Sequence, residues 1–297
     1  MADKPSDWLV ASDIDGTLIT VSRKMPQQNI DAVGAFIGAG GSFTLCSGRN
    51  LQSLEPHYIK CGANAPAVFL NGAGIYDFAS GRLLSYSAFT PSQEDYIIEL
   101  ADKYSSELDF VLYEPRMIHI VGKTNLLGTL TFLADKLDKK FYSSVHDVPR
   151  GNWGKLSFMP HFTKLPGFFL NKKSFSSRSA VADACAELKK AFSCGGFECF
   201  PDEPSGSTLV VEVAPQGVNK GNGIIKLADM LGIDSANVAA VGDGDNDRAM
   251  LGTVAHAAYC GKSQAEFKSF CEYFARPCAE GSVADFLGYL NIKYINK

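Results

Sequence analysis

Short apolar segments that alternate with helix-forming sequence constrain the fold of this chain most strongly. Three such segments occur early, at residues 8–12, 42–49 and 67–72, and helices are expected between them at 26–39 and 51–60. Strands that are apolar along their whole length are typical of parallel sheets covered by helices on both faces. The alternation therefore predicts an α/β fold built on a parallel sheet with right-handed crossovers.

The pattern changes after about residue 76, where aromatic-rich strands alternate with helices as in a separate α/β unit of mixed strand direction. The strands are expected at residues 109–113, 117–121 and 155–159, and the helices at residues 91–104, 126–137 and 178–192. From about residue 208 the segments LVVEVAP and NVAAVG predict that parallel strand–helix units resume. We therefore expect a discontinuous core of residues 1–84 and 207–297, with residues 85–206 inserted as a cap domain.

Composition excludes several classes of function. The chain has 297 residues and a net charge of −4, so no general attraction to nucleic acid or anionic membranes is expected. The first eight residues lack the layout of a secretory signal, and no segment is apolar enough to span a membrane. The eight cysteines contain no CxxC pair, which favours reduced thiols over a zinc site or a disulfide framework. These features predict a cytoplasmic protein.

The first motif with chemical content is Asp13-Ile14-Asp15-Gly16-Thr17, directly after the first strand. Ligands of open α/β sheets bind at such strand ends, and a glycine there allows a sharp turn that exposes backbone N–H groups. Two carboxylates this close stay ionised only if positive charge lies between them. Taken alone, an aspartate-rich turn of this kind more often caps a helix or closes a loop. A calcium EF-hand is excluded because Lys24 stands where its last ligand, a glutamate, is required.

Two further motifs could hold an anion. Ser47-Gly48-Arg49 ends the second strand, where a hydroxyl and a backbone N–H could bind phosphate oxygens, although a plain strand-to-helix turn is an equal alternative. Lys220 lies at the start of a predicted helix, where a cation opposes the helix dipole by about 0.3–1 kcal/mol. A bound anion or nearby carboxylates would reverse that penalty, and lysine is a suitable point charge for phosphate.

The fourth motif, VGDGDND at residues 241–247, follows another short apolar strand. It places Asp243, Asn246 and Asp247 at the same sheet edge, and its EF-hand interpretation also fails because Arg248 replaces the required glycine. A hard cation held by few carboxylates and several waters suits Mg²⁺ better than Ca²⁺. Together the four motifs predict one site in which Mg²⁺, Lys220 and backbone N–H groups offset the acidic charges.

These four motifs resemble those of the haloacid-dehalogenase (HAD) superfamily of phosphohydrolases. The Gly-Arg after Ser47, the NGA at residues 71–73 and the VEVAPQGVNKG run at residues 211–221 narrow the resemblance to Cof-type (subfamily IIB) sugar phosphatases. The resemblance covers essentially the whole chain. It implies a Rossmann-like parallel-sheet core with an inserted α/β cap that sets substrate specificity, and a Mg²⁺-dependent phosphatase of a small phosphate ester, expected to be a sugar phosphate.

The resemblance also implies roles for individual residues. Asp13 would be the nucleophile that forms an aspartyl-phosphate, and Asp15 the general acid and base. Mg²⁺ would be held by Asp13, Asp243 and the backbone carbonyl of Asp15, with Asp247 supporting the metal ligands and Lys220. The phosphoryl group would be bound by residues of all four motifs, namely Ile14, Ser47, Gly48, Lys220 and Asn246. Asp245 matches no role in the family and is expected to be loop surface.

Two alternatives to a phosphatase remain open from the sequence. A phosphomutase would need a second phosphate site, for which Arg116, Arg150 and Arg178 are candidates, although they are far apart in the sequence. A sensor that binds a sugar phosphate without turnover would keep the pocket, but the intact pair of Asp13 and Asp15 argues against it.

Overall fold

The computed structural model describes residues 4–122, 137–160, 175–201, 210–262 and 264–295, without the side chains of residues 160, 175–182 and 201. The chain divides into two units. The first unit comprises Met1–Tyr86 and Val218–Lys297, and the second comprises Ser87–Gly217. The sequence placed these divisions after residues 84 and 206, and the structure places them after residues 86 and 217.

The helices and strands are numbered in chain order. The strands are β1 (Leu9–Ser12), β2 (Ser42–Leu45), β3 (Ala67–Phe69), β4 (Gly74–Asp77), β5 (Arg82–Tyr86), β6 (Leu108–Tyr113), β7 (Ile118–Val121), β8 (Lys139–Tyr142), β9 (Lys155–Pro160), β10 (Phe197–Pro201), β11 (Val211–Pro215), β12 (Val238–Gly242), β13 (His256–Tyr259) and β14 (Tyr273–Phe274). The α-helices are α1 (Gln27–Gly38), α2 (Leu51–Cys61), α3 (Pro91–Lys103), α4 (Phe175–Cys194), α5 (Lys220–Leu231), α6 (Arg248–Leu251), α7 (Gln264–Phe267) and α8 (Ser282–Leu290).

The first unit contains a five-stranded sheet in the order β14-β13-β12-β1-β2, and each neighbouring pair is parallel. Ser12, the last residue of β1, is level with Val241 of β12 and Leu45 of β2. Every residue of β1 and β12 is buried, as expected for central strands covered on both faces. Because the strands are parallel, the segments that follow β1, β2 and β12 leave the sheet at one edge.

Helices cover both faces of this sheet. Apolar side chains of β1 and β12 form one buried cluster with Ile224 and Leu227 of α5 and Met250 of α6. Helices α1 and α8 pack against each other in the same unit. The strand β3 was expected in the parallel sheet, but apart from one parallel bridge between Val68 and Cys46 it pairs antiparallel with β4. It belongs to a separate three-stranded sheet, β3-β4-β5, whose hairpin the sequence analysis did not predict.

The second unit contains a six-stranded sheet in the order β10-β11-β9-β6-β7-β8, antiparallel except for the pair β7–β8. Leu108, Phe110 and Leu112 of β6 share a buried cluster with residues of α3 and α4, because alternate residues of a strand point to the same face. The mixed α/β character expected for the inserted segment is thus present in the second unit.

A second segment assigned to the wrong sheet is β11. The sequence LVVEVAP was expected to open the returning parallel core, but β11 pairs antiparallel with β9 and β10 in the second unit. Val211 and Val213 pack into the second unit's cluster, so their apolar character indicates burial without specifying the partner strands. The helix expected at residues 126–137 falls almost entirely on residues 123–136, outside the described residues.

In the part of the chain that the structure describes, no helix combines the length and the apolarity needed to cross a membrane.

Candidate active site

A buried lysine joins two of the sequence motifs. Lys220 is the first residue of α5 and is fully buried, and its Nζ donates to Oδ1 of Asp13 and to Oδ1 of Asp247, each at 2.6 Å. Asp13 follows β1 and Asp247 follows β12, so the parallel sheet brings both carboxylates to the helix start. These carboxylates provide the negative charge that the sequence analysis required for a cation at this position.

The start of α5 is held by a close backbone approach. The side chain of Asn219 caps the helix by accepting from the backbone N–H of Asn222 at 2.9 Å. Gly72, in the turn after β3, packs so tightly that a Cβ there would lie 2.1 Å from the carbonyl oxygen of Asn219. The NGA segment singled out in the sequence therefore lies against the residue that precedes Lys220.

The loop after β1 also reaches Asp243. Oγ1 of Thr17 donates to Oδ1 of Asp243 at 2.6 Å, and Gly16 adopts a positive φ of 85° beside the same carboxylate. The backbone of Thr17 is held by a residue far away in the sequence, because Oγ of Ser282 in α8 donates to the carbonyl oxygen of Thr17 at 2.6 Å. Asn29 of α1 adds a contact by donating to the carbonyl of Leu18 at 3.3 Å.

Asp247 has all of its hydrogen bonds inside the site. Its Oδ2 accepts the backbone N–H groups of Asp243 and Gly244, each at 3.0 Å, and its Oδ1 accepts from Lys220. These three donors hold the loop after β12 in a tight turn. The residue therefore links the position of Asp243 to the position of the lysine.

Asp15 lies at the exposed side of the site, with 58% of its side chain accessible, and forms a two-point ion pair with Arg49. Nε of Arg49 donates to Oδ2 and Nη2 donates to Oδ1, both at 2.7 Å. Burial of the carboxyl group acts to raise its pKa, but the hydrogen bonds and charge of Arg49 outweigh it and lower the pKa of Asp15. The pairing therefore favours the ionised form of this group and fixes its orientation.

The remaining predicted residues lie in the same loops. Ser47 is buried directly after β2, where its Oγ accepts the backbone N–H of Arg49 at 3.3 Å, and Gly48 follows it half-buried. Ile14 is buried between Asp13 and Asp15, and its carbonyl accepts from Leu18 and Ile19. Asn246 lies half-buried in the turn Asp245–Asp247 that follows β12.

The electrostatics of the cluster favour bound positive charge. Burial raises the pKa of Asp13 well above its usual value, with the Lys220 ammonium acting in the opposite direction. Burial and the charge of Asp247 raise the pKa of Asp243 to about 7. For Lys220, burial acts to lower the pKa, but the carboxylates of Asp13 and Asp247 overcome it and raise the pKa above its ordinary value.

The donor set fits a divalent cation. Asp13, Asp243 and Asp247 each offer a carboxylate oxygen, and these oxygens lie within 4.8 Å of one another. When all three are ionised, the carboxylates exceed the charge of the one ammonium by two, which one divalent ion neutralises. Oxygen-only ligands of this kind are those that Mg²⁺ and Ca²⁺ take. The sequence analysis named Asp13, Asp243 and the Asp15 carbonyl as ligands, and a carboxylate oxygen of Asp247 lies beside those of Asp13 and Asp243.

Sequence reasoning attached no role to Thr17 or Arg49, although both stand inside motifs it quoted. The threonine after DxDG and the arginine after Ser47-Gly48 were the available signals, but their partners are distant in sequence. Of the arginines considered for a second phosphate site, Arg150 pairs with Glu94 and Asp95 in the second unit. Arg116 is exposed, and the side chain of Arg178 lies outside the described residues.

A parallel α/β unit with carboxylates and a buried lysine at one sheet edge is the arrangement that the family resemblance stated from the sequence implies. The sequence model of the haloacid dehalogenase-like hydrolases matches residues 10–287, and the chain belongs to this family. The family resemblance stated from the sequence is thereby confirmed. The chain is thus an enzyme of the hydrolase class, consistent with a phosphoric monoester hydrolase.

Individual relatives agree with this membership. The chain is 22% identical over 282 residues to an HMP-PP phosphatase of Serratia proteamaculans (strain 568), covering 94% of this chain and 93% of the relative. It is 22% identical over 292 residues to the pyridoxal phosphate phosphatase YbhA of Escherichia coli (strain K12), covering 94% and 97%. The structure matches that of the HAD subclass IIB sugar phosphatase BT4131 with a TM-score of 0.73 and 18% identity, over 96% of this chain and 99% of the other. This structural likeness confirms the predicted fold.

Proposed function

We propose that the protein is a Mg²⁺-dependent phosphatase that hydrolyses a small phosphorylated metabolite through an aspartyl-phosphate. The observation that carries the proposal is the buried pair of Asp13 and Lys220 at the edge of the parallel sheet. Two anions, a carboxylate and a phosphate ester, can react only where positive charge is placed beforehand to offset both. The lysine and the acidic cluster meet that requirement together.

Asp13 is the proposed nucleophile. Its Oδ1 accepts from Lys220, so we assign the attack on phosphorus to Oδ2. The new bond between Oδ2 and phosphorus forms as the bond from phosphorus to the ester oxygen breaks, and the electron pair of that bond stays with the leaving oxygen. Burial strips water from the carboxylate, which makes a weak nucleophile more reactive once the charge of the substrate is offset.

Asp15 is the proposed proton donor and acceptor. In the first half-reaction the protonated form of Asp15 gives its proton to the leaving oxygen, which departs as an alcohol, and Asp15 becomes a carboxylate. In the second it takes a proton from the water whose oxygen attacks the phosphorus of the aspartyl-phosphate, and Asp13 is released as a carboxylate. The exposed position of Asp15 supports this role, because the side chain can meet both a leaving group and water.

The phosphoryl oxygens are proposed to be bound from three loops. Ser47 offers its hydroxyl, Lys220 its ammonium and Asn246 its amide, while Ile14 and Gly48 offer backbone N–H groups. Phosphoryl transfer depends mainly on such positioning and on charge stabilisation, since the transferring group carries its charge on three oxygens. The common location of these residues beyond β1, β2 and β12 supports the assignment.

Mg²⁺ is the proposed cofactor. Asp13, Asp243 and the backbone carbonyl of Asp15 would hold it, and when bound it supplies charge neutralisation at the transferring phosphoryl group. Asp247 is proposed to support these ligands rather than to bind directly, because its oxygens already accept three hydrogen bonds. Oxygen-only ligation in a compact acidic cluster supports Mg²⁺ over softer metals.

A sugar phosphate is the proposed substrate, and the cytoplasm the proposed location. The fold shared with a sugar phosphatase supports the substrate class. The two named phosphatase relatives act, by their names, on HMP-PP and on pyridoxal phosphate. Both compounds should therefore be assayed as substrates beside the sugar phosphates. All eight cysteines are free thiols, which supports a reducing compartment.

Phosphate release from a panel of phosphate esters tests the proposal, with Mg²⁺ and with a chelator. We expect hexose and pentose phosphates to be hydrolysed only with Mg²⁺, and more efficiently than pyridoxal phosphate. Asp13→Asn should lower turnover by about 10³-fold or more, because the neutral amide cannot form the intermediate. Asp229→Asn, an exposed carboxylate of α5, is the matched control. A panel with no release from any ester would refute the proposed activity.

A further inference from the structure

The ion pair between Arg49 and Asp15 is too exposed to contribute much to folding stability, which points to a functional role. Pairs between side chains as exposed as Asp15 contribute little to folding, because water screens the charges. The arginine, in contrast, is only 17% exposed and is fixed from behind, where its Nη1 donates to the carbonyl of Ser53 in α2 at 3.2 Å. A rigidly held guanidinium thus meets a carboxylate at the open side of the site.

The two hydrogen bonds between Arg49 and Asp15 determine the orientation of the Asp15 carboxylate as well as its distance from the guanidinium. Both bonds are 2.7 Å long and come from two nitrogens of one planar group, so they set the plane of the Asp15 carboxylate as well as its position. Each carboxylate oxygen has a second acceptor direction outside this pairing, where a proton can be exchanged. Without the pairing, an exposed aspartate would sample several rotamers.

We propose that Arg49 is a positioning residue that orients Asp15 for proton transfer. This inference rests on the proposed function of Asp15 as proton donor and acceptor. Arg49 exchanges no proton and acts through Asp15 alone: the protonated carboxyl group passes its proton to the leaving oxygen, and the resulting carboxylate later takes one from the attacking water. A misplacement of about 1 Å in such a group can cost about 10²-fold in rate.

A double-mutant cycle tests this proposal with the ester that the panel identifies. Arg49→Gln should lower kcat by about 10²-fold while KM changes less than about twofold. Arg49→Lys keeps the charge but cannot form two parallel bonds. Its kcat should therefore exceed that of Arg49→Gln by less than about tenfold. In an Asp15→Asn background, Arg49→Gln should cause no further loss. Arg82→Gln, an exposed arginine of β5, is the control with unchanged activity.

A second readout separates the two half-reactions. With 2,4-dinitrophenyl phosphate, whose leaving group departs without a proton, Arg49→Gln should release one equivalent of dinitrophenolate per enzyme quickly and then turn over slowly. A raised KM with unchanged kcat, or a full additional loss in the Asp15→Asn background, would overturn the proposal and assign Arg49 to the phosphate itself. Full activity of Asp15→Asn alone would overturn the role of Asp15, and with it this inference.

Discussion

Gly16 and Asp243 are in direct contact across the candidate active site. A Cβ added at Gly16 would lie 2.1 Å from Oδ2 of Asp243, well inside van der Waals distance. Gly16 also has a φ of 85°, a backbone conformation that other residues adopt only at a cost. Two independent constraints therefore require glycine at this position, one from the backbone and one from the neighbouring carboxylate.

Gly16→Ala is expected to impair Mg²⁺ binding more than it impairs folding. The positive φ costs about 1–2 kcal/mol, and the new methyl group must in addition displace Asp243. Gly62→Ala is the matched control, because Gly62 has a φ of 73° but open space around it. Both variants should lose similar unfolding free energy from the backbone, but only Gly16→Ala should lose Mg²⁺ affinity in calorimetric titrations. Equal Mg²⁺ affinity in the two variants would contradict this prediction.

Lys220→Met is expected to lower the unfolding free energy by about 3–5 kcal/mol, because it leaves two buried carboxylates without their cation. The loss should be smaller at acidic pH, where protonation removes the uncompensated charge. Urea denaturation at neutral and acidic pH measures both effects. Lys226→Met, an exposed lysine of the same helix that bonds Ser85, should change stability by less than about 0.5 kcal/mol. A loss that stays constant with pH would argue against the electrostatic cause.

Mg²⁺ affinity is expected to rise with pH up to about 7. Burial and the charge of Asp247 raise the pKa of Asp243 from 3.8 to about 7, so in the metal-free protein this group holds a proton that the unfolded chain releases. Its contribution to stability is present below pH 4 and is lost as pH rises through 7. A cation needs the ionised carboxylate, so affinity should fall by about tenfold per pH unit below 7. Mg²⁺ titrations followed by thermal unfolding would show this slope, and Asp243→Asn should make it shallower, with Asp13 as the remaining ligand of raised pKa.

Asp247→Asn is expected to weaken Mg²⁺ binding by about 10–100-fold, although the residue is not a proposed ligand. The amide can accept hydrogen bonds through only one of its atoms, so it cannot serve both Lys220 and the backbone N–H groups of the turn. Asp245→Asn, in the same turn and paired with Arg248, should bind Mg²⁺ within about twofold of the unaltered protein. If Asp247→Asn and Asp245→Asn lost the same Mg²⁺ affinity, the total negative charge near the site would determine Mg²⁺ binding, and the hydrogen bonds of Asp247 would not.

The first unit was predictable because its signals are local. Each central strand is short, apolar and followed by a glycine or polar turn, and β1, β2 and β12 appear where the sequence placed them. The carboxyl ends of parallel strands share one edge, so the meeting of Asp13 and Asp247 follows from strand order, whereas Lys220 reaches them from the start of α5. The resemblance to a known family supplied the same residues independently.

Other features depend on partners that no local pattern names. β11 has the apolar character of a core strand, but which sheet it joins is decided by β9 and β10, with which it pairs. Arg49 and Asp15 are 34 residues apart, and their pairing requires the loops after two strands to be placed first. The hairpin of β4 and β5 was missed although Gly81, at a positive φ, marks a turn before β5.

The hydrogen bond from Ser282 to the carbonyl of Thr17 spans 265 residues of chain. On the ribosome, the loop that carries Asp13 and Asp15 emerges long before α8 is made. Until residue 247 has been made, the cluster around Lys220 lacks Asp247, and until α8 docks the loop lacks one of its anchors. The nascent chain therefore assembles the acidic cluster before the last contact that fixes the loop after β1 can form.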